Sequence, residues 1–226
     1  MIDVDELRAP ITLSSTLYNH IWHMQSEFRI IGDLVQNMED YFLQRCVDFE
    51  KYEATTIKKS PKYRREELEE QLEDEYNVLL SMPVLIRHSL FTSTYSLLEA
   101  FLNDLCSEVK KERNLLIDIN DLSGAGIFRA QTYLSKILNV EFPSSHRSWQ
   151  RICNYNKLRN CLVHADGQLS KESNKQLLKF IKAHKYLEVN VILKVQLQDG
   201  FVQEVCDTMA QFVQELIPKV IEAVEA

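Results

Sequence analysis

Apolar residues recur at steps of three and four along the first part of the chain: Leu13, Leu17, Ile21, Met24, Phe28, Ile31, Leu34, Met38, Phe42, Cys46 and Phe49. That period predicts one amphipathic helix from about Ile11 to Tyr52. A helix with a single apolar stripe of this length needs a partner along it. TTIKKSPKY, with Pro61, interrupts the pattern. RREELEEQLEDEYNVLLSMP then opens a second helix, whose acidic first turns suit the positive end of a helix dipole. Pro83 marks a kink or a new helix start. After it comes the most apolar helix, on which Leu90, Thr94, Leu97, Leu98, Phe101, Leu105 and Val109 make a wide apolar stripe, that of a central core helix.

Downstream, a loop is followed by a helix beginning near Gly126, and NVEFPSSHRS is a connector. WQRICNYNKLRNCLVHADG reads as a helix closed by Gly167, and KESNKQLLKFIKAH as a short helix. YLEVNVILKVQLQDGFVQE alternates apolar and polar positions and contains Asp199–Gly200, the signal of a β-hairpin or of two short extended stretches. An amphipathic helix closes the chain. The expected fold class is therefore all-α: a helical bundle with a long N-terminal helical hairpin over residues 1–82, a helical domain over 83–226, and a small β-hairpin or extended segment near 186–203.

Composition agrees with this reading. Five Gly and five Pro in 226 residues are few breakers for a chain with 45% hydrophobic residues. The five cysteines are odd in number and widely spaced, with no C-x-x-C pair, which argues against a disulfide scaffold and a zinc site and fits a reducing cytoplasm. MIDVDELRAP lacks the pattern of a signal peptide, and no run of about 18 apolar residues is present, so neither secretion nor a membrane span is expected.

Charge changes the picture more than composition does. The net charge of −7 excludes a protein that coats nucleic acid in bulk. Yet residues 141–190 hold nine Lys or Arg against four Asp or Glu, a local +5 on an otherwise acidic chain. Such an island either binds a polyanion locally or is a pair of solvated helix faces.

That island contains KLRNCLVHADG, residues 157–167. Asn160 and His164 are one turn apart and share a helix face. Arg159 falls about 140° from His164 on an ideal helix, so the three converge only if the long Arg reaches round or the last turn loosens. An ordinary helix terminus, with an Arg favouring the dipole and a His capping carbonyls, has the same residues. Of the other histidines, His20 and His23 form an H-x-x-H that lacks a marked third ligand, and His88, His146 and His184 stand alone. No metal and no cofactor is expected; SGAG at 123–126 is too short for a phosphate loop.

The order of these features resembles the HEPN superfamily of helical domains. The residues that carry the resemblance are RNCLVH, Arg159 to His164, near the end of a late helix; TYSLLEAFLNDLC, residues 94–106, with Glu99 in a Leu-rich stripe; and His-Ala-Asp-Gly followed by a short helix, strand-like segments and a final helix. It covers about residues 84–224 and does not extend to the first 80. Catalytic members are metal-independent endoribonucleases that commonly dimerise with two motifs facing each other. The resemblance therefore implies catalytic roles for Arg159, Asn160 and His164 and a supporting acid at Glu99. It implies an RNA substrate such as tRNA, a homodimer, and a setting in prokaryotic defence or a toxin–antitoxin system, with an antitoxin or defence-complex partner. Arg151, Lys157, Lys171 and Lys175 are the candidate contacts to an RNA backbone. The alternative is a HEPN domain that serves only for dimerisation or partner docking.

Overall fold

The computed structural model describes residues 13–170 and 175–225. It is an all-α protein with one small antiparallel sheet. The helices are α1 (Leu13–Lys59), α2 (Arg65–Glu112), α3 (Gly126–Lys136), α4 (Arg147–Ala165), α5 (Lys175–Lys182) and α6 (Phe201–Glu225), and the strands β1 (Leu187–Val189) and β2 (Val195–Leu197) lie between α5 and α6.

Helix α1 runs beyond the expected end at Tyr52 and stops only where Pro61 follows. Thr55 and Ser60 donate their hydroxyls to the carbonyls of Lys51 and Thr56 near its end, and Lys58 and Lys59 lie in the last turn, where the dipole favours cations. Helix α2 does not start at Pro83 but passes through it, so the boundary expected between residues 82 and 83 falls inside a continuous helix. A Pro in mid-helix forfeits one backbone hydrogen bond. The burial of Leu79 and the half-burial of Pro83 and Ile86 around it show the packing that holds the segment helical.

The chain divides into two compact units, each assembled from separate stretches. The first comprises Met1–Arg29, Thr94–Tyr155 and Cys206–Ala226. Its core is built from the stripe the sequence marked on α2, with Leu98, Phe101, Leu105 and Val109 all buried, together with Tyr133 of α3 and Phe212 and Leu216 of α6. An aromatic group of Phe142, Trp149 and Phe212 adds edge and tilted contacts at 4.7 and 5.1 Å between ring centres. Buried Tyr133 has its hydroxyl satisfied by the carbonyl of Ile117 at 2.8 Å.

The second unit comprises Ile30–Ser93 and Asn156–Val205. Here the remainder of α1 lies antiparallel to α2, with Phe49 stacked on Tyr76 at 5.5 Å and an ion pair between Glu39 and Arg87. The side chains of Leu13, Leu17 and Ile21 lie outside those described. Of the α1 stripe within this unit, Phe42 is buried and Ile31, Met38, Cys46 and Phe49 are half-buried, but Leu34 is exposed and its neighbour Val35 is buried instead. A 3.6-residue turn rotates away from a run of three- and four-residue steps, and one position of slippage exchanges these two residues. The β-hairpin turns at Asn190–Leu193 and not at Asp199–Gly200. Asn190 Oδ1 accepts from the N–H groups of Ile192 and Lys194, a side-chain turn that leaves Leu193 at φ +60°. Asp199–Gly200 leads into α6.

Candidate functional site

Helix α4 carries the Arg-Asn-x-x-x-His motif in its last two turns, within the second unit. The helix ends because Asp166 and Gly167 both adopt left-handed backbone, at φ +48° and +75°. Asp tolerates this region better than most residues and Gly adopts it freely. The Gly167 N–H reaches back to the Cys161 carbonyl at 3.0 Å and that of Gln168 to Ala165 at 2.8 Å, closing the last turn. Gly167 is buried, and a Cβ there would lie 3.3 Å from Leu162 Cδ2 and 3.6 Å from the Val195 carbonyl. The β-hairpin strand thus presses on the helix end, and Lys194 Nζ meets the Asp166 carboxylate at 2.6 Å. That hydrogen bond, and the lysine charge behind it, hold the Asp166 carboxyl below the usual carboxylate range.

Arg159 is half-buried. Its Nη1 donates to Asn160 Oδ1 at 3.2 Å, and Asn160 Nδ2 donates to Asn156 Oδ1 at 3.4 Å. Its Nε is buried and has no hydrogen-bond partner among the described residues. The guanidinium is therefore partly stripped of water and oriented by a neighbouring amide, a state in which an anion is held more strongly than by a fully hydrated cation. His164 is exposed, and no side chain among the described residues holds its imidazole. Asn160 is thus engaged with Arg159 and Asn156 and not with His164.

The remaining predicted residues divide between the two units. Lys157 is exposed on α4 and donates to Gln176 Oε1 of α5 at 2.8 Å, which ties the motif helix to α5. Lys175 is exposed at the start of α5. Lys171 lies outside the described residues. Arg151 is half-buried in the first unit. Glu99 also belongs to the first unit, where its carboxylate faces Gly126 at the start of α3; a Cβ on that glycine would lie 3.3 Å from Oε1. A carboxylate there meets the positive end of the α3 dipole.

Residues the motif did not announce also belong to this region of the second unit. Lys194, on β2's approach, pairs with Asp166 two residues past His164. His88, on α2, has a buried Nε2 without a partner among the described residues. Burial, and then the charge of Lys194, lower its pKa, while Asp166 opposes them. His88 is 76 positions from His164, so nothing in the local sequence announced it. Among the described residues no group of three His, Cys, Asp or Glu could hold a metal ion, and no helix is long and apolar enough to cross a membrane.

No protein-family model, no curated protein and no solved structure matches the chain.

Proposed function

We propose that the chain is a HEPN-type, metal-independent endoribonuclease in which Arg159 and His164 act on the scissile phosphate. The observation that carries this reading is the state of Arg159: half-buried, its Nε out of reach of water, and oriented by Asn160. A guanidinium held this way suits the charge that grows on phosphoryl oxygens as the RNA 2′-hydroxyl attacks the adjacent phosphorus. The exposed imidazole of His164 takes the 2′-hydroxyl proton. The P–O5′ bond breaks as the new P–O2′ bond forms, leaving a 2′,3′-cyclic phosphate and a 5′-hydroxyl. Protonation of the departing 5′-oxygen requires a second acid, which the motif of a two-fold partner supplies in a homodimer. On this reading the protein works in the cytoplasm within a defence or toxin–antitoxin system, on RNA such as tRNA.

The test is incubation of wild type, Arg159→Ala and His164→Ala with total RNA in EDTA, with the ends of the products mapped. Cleavage by wild type alone, leaving cyclic phosphates, is the expected result. Equal cleavage by all three proteins overturns it.

A second reading has its own observation. On the hairpin in the second unit Tyr41, Leu43, Val78 and Leu85 are 56%, 68%, 57% and 65% exposed. Apolar side chains left open along a helix pair suit a docking role for a non-catalytic HEPN subunit. Folded, dimeric protein that cleaves no RNA but binds a partner through these residues is its signature.

A further inference from the structure

Helix α5 is short and strongly two-sided. Leu177 and Ile181 are buried on one side, while Lys175, Lys179 and Lys182 lie on the other. At 100° per residue the three lysines fall within an arc of about 60°, rising about 6 and 4.5 Å from one to the next, so they form a single file along the helix. None has an acidic partner among the described residues. Solvated lysines on a helix face commonly neighbour Asp or Glu at i+3 or i+4; here the i+4 positions of Lys175 and Lys179 are Lys179 and Ala183. Like charges one turn apart destabilise a helix, and this eight-residue helix gains little from length, so the arrangement costs stability in the absence of an anion.

The same residues border a shallow hollow of about 390 Å³ whose other lining is Leu178 and Ala183. A hollow lined by three lysines and two aliphatic residues matches a ligand that carries both apolar faces and regularly spaced negative charge. Single-stranded nucleic acid has that chemistry: a phosphate backbone for the cations and bases for the apolar surface. The Lys157–Gln176 hydrogen bond joins this file to α4, with Lys157 two positions from Arg159.

We propose that the Lys175–Lys179–Lys182 face of α5 binds the sugar–phosphate backbone of single-stranded RNA and leads it past Lys157 toward Arg159. The assignment of RNA rests on the ribonuclease reading; the polyanion-binding face itself does not.

The experiment uses the full chain carrying His164→Ala, which removes cleavage, and a fluorescent 12-nucleotide oligouridylate followed by anisotropy at several salt concentrations. Adding Lys175→Gln, Lys179→Gln and Lys182→Gln weakens binding at least about tenfold. It also lowers the slope of log affinity against log salt by about 2, since each phosphate contact on a single strand contributes about 0.7. Lys179→Gln alone gives a smaller change of the same sign, which keeps the test valid should the triple variant fold poorly. Unchanged affinity and slope in both variants overturn the proposal. An acidic peptide that binds this face more tightly than the RNA does, and loses that binding in the triple variant, also overturns it, in favour of a protein partner. Cleavage by the wild type is scored separately. Loss of binding in the triple variant without wild-type cleavage retains this face and rejects the ribonuclease reading. Wild-type cleavage, with affinity and salt slope unchanged in the triple variant, rejects this face alone.

Discussion

Arg159 donates from Nη1 to the side-chain oxygen of Asn160, its neighbour in the chain, at 3.2 Å. Adjacent residues on a helix point about 100° apart, so this contact requires the long Arg to bend back across the helix surface. Asn160 thereby orients the Arg159 guanidinium.

Under the ribonuclease reading Asn160 is a positioning residue. Asn160→Ala is expected to lower kcat about tenfold with little change in KM, since the guanidinium remains but is less well oriented for the developing charge. Arg159→Ala and His164→Ala each lower it about a hundredfold or more. Steady-state kinetics on one oligonucleotide check the order, and a larger loss from Asn160→Ala than from Arg159→Ala contradicts it.

Gly167 closes the motif helix at φ +75°, with Leu162 and the Val195 carbonyl against the place of a Cβ. Gly167→Ala strains the backbone and crowds a buried position, and is expected to destabilise the protein by about 1–2 kcal/mol in urea unfolding. A stability equal to wild type contradicts the packing described for the helix end.

The Glu39–Arg87 pair is 11% and 13% exposed, and Arg87 also donates to the Leu197 carbonyl at 3.3 Å. Removing one partner leaves a largely buried charge alone. Glu39→Ala and Arg87→Ala are each expected to cost about 3 kcal/mol, and the double variant clearly less than the sum. Additive losses in the double-mutant cycle contradict the pairing.

His88 is expected to make stability depend on pH. Burial and Lys194 lower its pKa from the ordinary 6.5 in the folded state. As pH falls through about 6.5 the unfolded chain takes up a proton that the folded chain resists. The unfolded state then binds more protons, so this contribution to stability is present at neutral pH and is lost on acidification. Urea midpoints measured from pH 7.5 to 5 are expected to fall less steeply in His88→Gln than in wild type. Identical slopes contradict the assignment.

Much of the architecture was legible from apolar spacing because a helix that buries one face must repeat near 3.6 residues whatever it packs against. The Leu98–Phe101–Leu105–Val109 stripe, the helix stop at Gly167 and the short hairpin before the last helix are local consequences of period and turn chemistry. Where the choice lay between neighbours, as with Leu34 and Val35, or between turns, as with Asn190–Leu193 and Asp199–Gly200, the spacing allowed both. The rotation of the helix turn decided the first, and the Asn190 side chain, accepting from Ile192 and Lys194, the second. Pro83 carries a strong local stop signal, yet α2 continues through it, since packing along the helix outweighs one missing hydrogen bond. Arg159, Asn160 and His164 were visible as a motif because they share one helix. The exposure of His164, the buried Nε of Arg159, and the arrival of Lys194 beside Asp166 were not. They depend on segments distant in the chain, and only the folded backbone sets the burial and charge that those segments bring.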